Sequence, residues 1–161
     1  VSVRANASTI TFLGTWPLRS ASDPDRSHKE RGLAQRLNSM PIIDVEIVVA
    51  PNDPVAAHLA QSLADAAGRA LDSPAGQTWV RLRLLAREHY AENESSLAST
   101  ELPVFVTVLK RALPGPAEMT DEITRLTGSV ADLLRRNRTC VHVEYAPAAS
   151  GRLAFGGKLV T

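Results

Sequence analysis

The sequence contains one strand, helix and strand pattern twice, and this repetition restricts the possible folds more than any other feature. The first copy runs from Pro41 to a strand near Val80, and the second runs from Pro103 to a strand near Val141. These intervals are 39 and 38 residues, so the three elements recur at nearly the same spacing. The repeat indicates a duplicated β-α-β unit, in which the two strands run parallel through a right-handed crossover.

Both helices are marked by capping residues and by an apolar stripe. Asp53 can cap the first helix with Pro54 at its first position, Pro74 and Gly76 end it, and Pro116 opens the second. We expect both stripes to pack into a core. They consist of Val55, Leu59, Leu63, Ala66, Ala67 and Ala70 in the first helix, and of Met119, Ile123, Leu126, Val130 and Leu133 or Leu134 in the second.

Side chains alternate along the four strands between two faces of the sheet. The first face is apolar and should receive both helices; it comprises Ile43, Val45, Ile47, Val49, Val80, Leu82, Leu84, Val104, Val106, Val108, Val141, Val143 and Tyr145. The other face is half-apolar and charged; it comprises Asp44, Glu46, Arg81, Arg83, Phe105, Thr107, Leu109, His142 and Glu144. This pattern predicts an α/β (α+β) fold with a four-stranded sheet, two helices on one face and a second copy packed on the other.

Composition excludes several classes of function. The 161 residues carry a net charge of +1, which gives no general attraction to nucleic acid or to an anionic membrane. No stretch approaches 18 uncharged apolar residues, so no membrane span is expected. The single cysteine, Cys140, cannot form an internal disulfide, and no metal or phosphate-loop motif occurs. We therefore expect no metal, no cofactor and, without an export signal, a cytoplasmic location.

Residues 1–39 differ from the rest of the chain. They are rich in Ser, Asp and Arg and carry a net charge of +3, against −2 for the remainder, so we predict that they are disordered. The character changes to a strand at Met40. Residues 1–39 are either a genuine extension or targeting arm, or Met40 is the initiator; we favour the second. The predicted domain is 40–161, with unit one at 41–86, unit two at 103–146 and a ribbon at 152–161.

Three features, in this order on the duplicated layout, resemble the tautomerase superfamily. They are Pro41 after Met40, the strand Val141–Val143, and the tail Leu153–Gly157. The superfamily includes 4-oxalocrotonate tautomerase, 5-carboxymethyl-2-hydroxymuconate isomerase and macrophage migration inhibitory factor. The resemblance covers 40–161 and places the chain with the fused, two-unit members. It implies a homotrimer whose sheets line a central barrel, with a ribbon around Phe155–Leu159 that reaches a neighbouring subunit.

The resemblance also implies an N-terminal proline as the catalyst, here Pro41 after removal of residues 1–40. A terminal proline is a secondary amine, and its charged form is disfavoured near apolar groups and positive charges. The free base can take a proton from one atom of a small 2-oxo or 2-hydroxy carboxylic acid and return it to another. The implied activity is that of a cofactor-independent isomerase that interconverts enol and keto forms.

The remaining site residues are implied in the same way. Arg111 resembles the carboxylate-binding arginine of the chloroacrylic acid dehalogenases, and Arg81 lies where the short tautomerases place a substrate arginine. His142 and Glu144 would complete the pocket from a neighbouring subunit. Tyr90, in the polar loop after unit one, could donate a hydrogen bond to the substrate. Each residue also has a structural interpretation. Arg111 could be a solvated charge at a strand end, and Arg81 and Glu144 could form an ion pair. His142 could be a hydrogen-bonded strand histidine, and Tyr90 could be a loop aromatic that covers the end of the sheet.

Two alternatives remain open at this stage. Within the superfamily, hydration, dehalogenation or decarboxylation could replace tautomerisation, because Glu144 and Arg111 could serve those reactions. The chain could also be a non-catalytic oligomeric module in which Pro41 is internal and blocked. An internal proline at the start of a strand is common and has no basic nitrogen.

Overall fold

The computed structural model describes residues 40–53, 56–94, 98 and 101–161. Residues 1–39 lie outside this part of the chain, so their predicted disorder stays a prediction. The first unit contains β1, α1 and β2, the second contains β3, α2 and β4, and a small hairpin of β5 and β6 follows. Their bounds are β1 Ile42–Val49, α1 Leu59–Ala70, β2 Trp79–Ala86, β3 Val104–Leu109, α2 Pro116–Leu134, β4 Val141–Tyr145, β5 Ala154–Phe155 and β6 Lys158–Leu159.

The four long strands form one mixed sheet in the order β2-β1-β3-β4. Strands β1 and β2 run parallel, as do β3 and β4, so each unit is a β-α-β crossover. The two units meet through the antiparallel pair of β1 and β3, with Ile43 opposite Val108. The predicted fold class, a duplicated β-α-β unit with a four-stranded sheet and two helices, is confirmed.

The core lies between the sheet and the two helices. Alternate residues of β1 and β3 are almost fully buried, as in Ile43, Val45 and Val106. Leu63 of α1 and Leu126 of α2 belong to the same buried cluster, so both helices cover this face. The alternation of side chains on the strands therefore decides which face the helices cover, because only one face of the sheet is continuously apolar.

Two local predictions are wrong. Helix α1 begins at Leu59 after His58, rather than at Asp53, because the Asp53 carboxylate instead accepts a hydrogen bond from the Ala50 amide at 3.3 Å. Pro54 and Val55 lie outside the described residues. Leu84 was expected to pack under the helices, yet it is 46% exposed because it lies on the edge strand β2.

Among the described residues, no helix is long and apolar enough to cross a membrane. The cytoplasmic location stays a prediction.

The burial of α2 gives a stability test with a matched control on the same helix. Leu126 is fully buried, whereas Leu133 is 37% exposed. We expect Leu126→Ala to lower the free energy of unfolding by about 2–5 kcal/mol, because it leaves a cavity in the core. Leu133→Ala should cost about 1 kcal/mol or less. Denaturant unfolding of the two variants measures both values, and equal losses would contradict this assignment of the core.

Candidate active site

Pro41 lies at one end of the sheet, immediately before β1. Its carbonyl oxygen accepts a hydrogen bond from the Trp79 amide at 3.1 Å, which aligns it with the start of β2. The Pro41 ring is fully buried, with less than 2% of its surface exposed. In the 161-residue chain its nitrogen forms an amide with Met40 and is not basic. The sheet therefore fixes the position of this buried nitrogen.

Arg111 lies at the same end of the sheet as Pro41. Strand β3 runs antiparallel to β1 and places Leu109 opposite Ile42, so the residues after Leu109 extend past the start of β1. Arg111 is half-buried, and its carbonyl oxygen accepts a hydrogen bond from the Ser150 amide at 3.1 Å. The fold thus brings two of the predicted catalytic residues to one end of the sheet.

Arg81 and Glu144 belong to a row of four polar residues, one on each strand, across the face that the helices leave open. In strand order the row is Arg81, Asp44, Thr107 and Glu144. Arg81 Nη2 lies 2.5 Å from Asp44 Oδ2, and the Thr107 hydroxyl donates to Glu144 Oε1 at 2.8 Å. Arg83 also approaches Asp44, at 3.8 Å. A substrate carboxylate at Arg81 must therefore compete with Asp44.

His142 and Tyr90 lie in the next row, further from Pro41. Phe105 is opposite His142, and their rings stack with centroids 5.4 Å apart. Tyr90 covers Phe105 from the loop after β2, at 5.8 Å between ring centroids. The Tyr90 hydroxyl donates to Glu92 at 2.9 Å, and burial together with this hydrogen bond raises the pKa of Tyr90 above its usual 10.0.

A single chain does not assemble the predicted site. The row of Glu144 crosses β1 at Asp44, three residues after Pro41, and the row of His142 crosses β1 at Glu46, five residues after Pro41. At roughly 3.3 Å per residue, these rows lie about 10 and 17 Å from Pro41 along the strand. Within one chain, Pro41 and Arg111 therefore lie at the same end of the sheet, and Arg81 lies in the row of Glu144, about 10 Å from Pro41 at roughly 3.3 Å per residue. His142 and Tyr90 form a separate aromatic group with Phe105.

A small cavity of about 110 Å³ lies between the two rows. Its walls include the carboxylates of Asp44 and Glu46 and the guanidinium of Arg83. Two anions against one cation disfavour binding of a carboxylate there. This cavity is therefore a poor candidate for the site of a carboxylate substrate.

The C-terminal hairpin crosses the Pro41 end of the same chain. The segment between β4 and the hairpin contacts the residue after β3, where the Ala149 amide donates to the Lys110 carbonyl at 2.9 Å. The hairpin itself reaches β2, where Phe155 contacts Trp79 with ring centroids 5.1 Å apart. Gly156 and Gly157 form the turn with φ values of 54° and 80°, a region that favours glycine. The expected contact with a neighbouring subunit stays a prediction.

Sequence reasoning missed a buried polar cluster beneath the Pro41 end. Lys110 Nζ lies 2.7 Å from Glu122 Oε1, and the Tyr145 hydroxyl donates to Glu122 Oε2 at 2.6 Å. Burial and the Glu122 carboxylate raise the pKa of Tyr145 well above its usual value. The signal was present in the sequence: Lys110 continues the inward positions of β3, and Glu122 occurs four residues before the core residue Leu126.

No group of three His, Cys, Asp or Glu side chains could hold a metal ion within the described ranges. Cys140 is buried.

Comparison with known proteins identifies the fold. Neither a scan of protein-family models nor a search of curated proteins found a match. Among solved structures, an asymmetric trimer of the fused 4-OT F6 matches with a TM-score of 0.60 and 19% identity, over 74% of this chain and 95% of that one. Macrophage migration inhibitory factor from Oncomelania hupensis matches with a TM-score of 0.58 and 20% identity, over 74% and 81%.

A third similar structure is the FG41 malonate semialdehyde decarboxylase inhibited by 3-bromopropiolate. Its TM-score is 0.55 at 15% identity, over 71% of this chain and 88% of that one. All three identities are low, so these matches establish the fold: the described chain has the fold of the tautomerase superfamily. Its two β-α-β units in one chain correspond to the fused 4-OT arrangement, which confirms the resemblance seen in the sequence.

The Arg81–Asp44 pair gives a test of whether Arg81 is available to a ligand. Its side chains are 63% and 28% exposed, so water screens their attraction. A double-mutant cycle of Arg81→Gln and Asp44→Asn should give a coupling free energy of about 0.2–1 kcal/mol in unfolding experiments. A coupling above about 2 kcal/mol would show that Arg81 is committed to Asp44 and would contradict a role for Arg81 in substrate binding.

Proposed function

We propose that this protein is a cofactor-independent isomerase that interconverts the enol and keto forms of a small 2-oxo or 2-hydroxy carboxylic acid. Pro41, as the N-terminal residue after removal of residues 1–40, is the proton acceptor and donor. The observation that carries the proposal is the burial of the Pro41 ring at the sheet end that Arg111 shares. An apolar site disfavours the charged amine, so a free base is available near neutral pH.

Arg111 and Arg81 hold the substrate acid in this proposal. A guanidinium can bind a carboxylate through two parallel hydrogen bonds and can stabilise the negative charge that develops on an enolate. Arg111 lies at the Pro41 end, whereas Arg81 lies one row along the open face. The carboxylate therefore binds at Arg111 first, with Arg81 as the second cation, and the reacting carbon faces Pro41.

His142, Glu144 and Tyr90 complete the site from a neighbouring subunit. Within one chain His142 lies about 17 Å from Pro41 along the sheet, at roughly 3.3 Å per residue, which is too far to contact the same small substrate. The open face carries arginines on β2 and Glu144 on β4, at opposite edges of the sheet. Such edges are complementary between successive copies in a ring, and we propose a homotrimer. The fused 4-OT F6 is a trimer.

Turnover by defined chains tests the proton acceptor. A chain that begins at Pro41 should convert phenylenolpyruvate or 2-hydroxymuconate to its keto form, and Pro41→Ala should lower kcat/KM by about 10²–10⁴-fold, the contribution of a general base. The matched control is the same chain with Met40 retained, in which an amide replaces the amine and turnover should be lost. Equal turnover by Pro41→Ala would reject the mechanism, and activity in neither chain would favour the non-catalytic module.

Mixed oligomers test the contribution of the neighbouring subunit. Pro41→Ala and Glu144→Gln chains should each have reduced activity alone. Unfolding and refolding them together should restore part of that activity, because some interfaces then combine an intact Pro41 with an intact Glu144. The control is the two proteins mixed without refolding. Sedimentation should give three times the chain mass; a monomer, or no recovery after mixing, would contradict the shared site.

A further inference from the structure

A buried ion pair lies on the helix side of the sheet, close to the end where Pro41 precedes β1. The side chains of Lys110 and Glu122 are only 11% and 4% exposed, and their charged atoms are 2.7 Å apart. Tyr145 donates a hydrogen bond to the second oxygen of Glu122. Lys110 follows β3, Glu122 lies on α2 and Tyr145 ends β4, so three elements converge on one carboxylate. The proposed reaction does not use any of these groups.

The strand register sets Lys110 beside Pro41. Ile43 is opposite Val108 and Ile42 is opposite Leu109, which is the last pair of the ladder. Continuing the same register by one residue would bring Lys110 opposite Pro41. Both residues are buried, and both continue the face that the helices cover. Residues directly opposite in an antiparallel pair have Cβ atoms about 5 Å apart. The stem of Lys110 therefore starts next to the ring whose nitrogen is the proposed base.

We propose that the Lys110–Glu122 pair sets the protonation of the Pro41 amine, with Lys110 as the cation and Glu122 as its counter-charge. This inference rests on the proposed function, which supplies the free amine. A buried cation next to an amine disfavours the protonated amine, and a buried anion favours it. Both residues are positioning residues, because they act on Pro41 through its charge and do not touch the substrate.

Lys110 and Glu122 act on the pKa of the Pro41 amine in opposite directions, so the net effect depends on both charges being present. Removing one partner leaves the other buried and unpaired, which disfavours its charge, so each single variant gives a lower limit to the effect of the charge that was removed. Glu122 accepts one hydrogen bond from Lys110 and a second from the Tyr145 hydroxyl. Tyr145 stays a neutral donor because its pKa is raised. Arg125 and Glu118 on α2 also act on Tyr145, with opposite signs, and Arg111 follows Lys110.

The test is a pair of variants that break the same ion pair from its two sides. In a chain that begins at Pro41, Lys110→Met removes the cation and should raise the pKa of the Pro41 amine by about one unit. Glu122→Gln removes the anion and should lower that pKa by about the same amount. NMR titration of ¹⁵N-labelled proline measures the amine directly, and the acidic limb of the rate profile should shift in the same direction.

Three controls separate charge from structure. Lys110→Arg keeps the cation and should leave the Pro41 pKa unchanged, even if it alters stability. Tyr145→Phe removes the hydrogen bond to Glu122 and keeps the ion pair, so a small shift is expected. Asp72→Asn removes the exposed pair between Asp72, which follows α1, and Arg125 of α2, at 3.2 Å, and should have no effect.

The possible outcomes distinguish this inference from the proposed function. Opposite pKa shifts in Lys110→Met and Glu122→Gln support it, whether or not the chain turns over substrate. Shifts in the same direction overturn it, because a general loss of structure would change the pKa of the Pro41 amine in the same way in both variants. An unchanged pKa in either variant also overturns it. A titrating Pro41 amine without any turnover would reject the proposed function alone.

Discussion

The antiparallel pairing of β1 with β3 is the constraint on which the rest of the structure depends. The two strands within each β-α-β unit pair in parallel, so the antiparallel pair of β1 and β3 is the junction between the two halves of the sheet. It brings the beginning of the first unit next to the end of β3. Pro41 therefore lies beside Lys110 and Arg111, which are about 70 residues away in sequence. A shift of one residue would turn Pro41 to the opposite face from Lys110.

The two faces of the sheet have different roles around that junction. The helix face buries Pro41 together with the Lys110–Glu122 pair. The open face carries arginines on one edge strand and Glu144 on the other, and the stacked rings of Phe105 and His142 lie in the row next to Glu144. In the proposed reaction the first face holds the base, and the second contacts another copy that supplies the remaining groups.

The sequence predicts the layout well because the information is local and periodic. Alternation along β1 and β3 identifies their buried residues, and the repeat identifies which strands pair in parallel. The predicted start of α1 is wrong because the Asp53 carboxylate can accept a hydrogen bond either from a helix amide or from a preceding amide in a turn. In the structure it accepts one from the Ala50 amide. The Lys110–Glu122 pair was missed because its partners belong to different elements, and only packing shows that they meet. Whether His142 reaches Pro41 depends on a second chain, about which one sequence is silent.

The central claim is that the first residue of the active protein is Pro41 and that its nitrogen is a free amine. Intact-mass spectrometry and N-terminal sequencing of protein purified from its native source test this most directly. The account predicts a chain that reads Pro-Ile-Ile from its first residue. A native chain that reads Met-Pro-Ile-Ile or begins further upstream would contradict it, because the proposed reaction would then lack a proton acceptor.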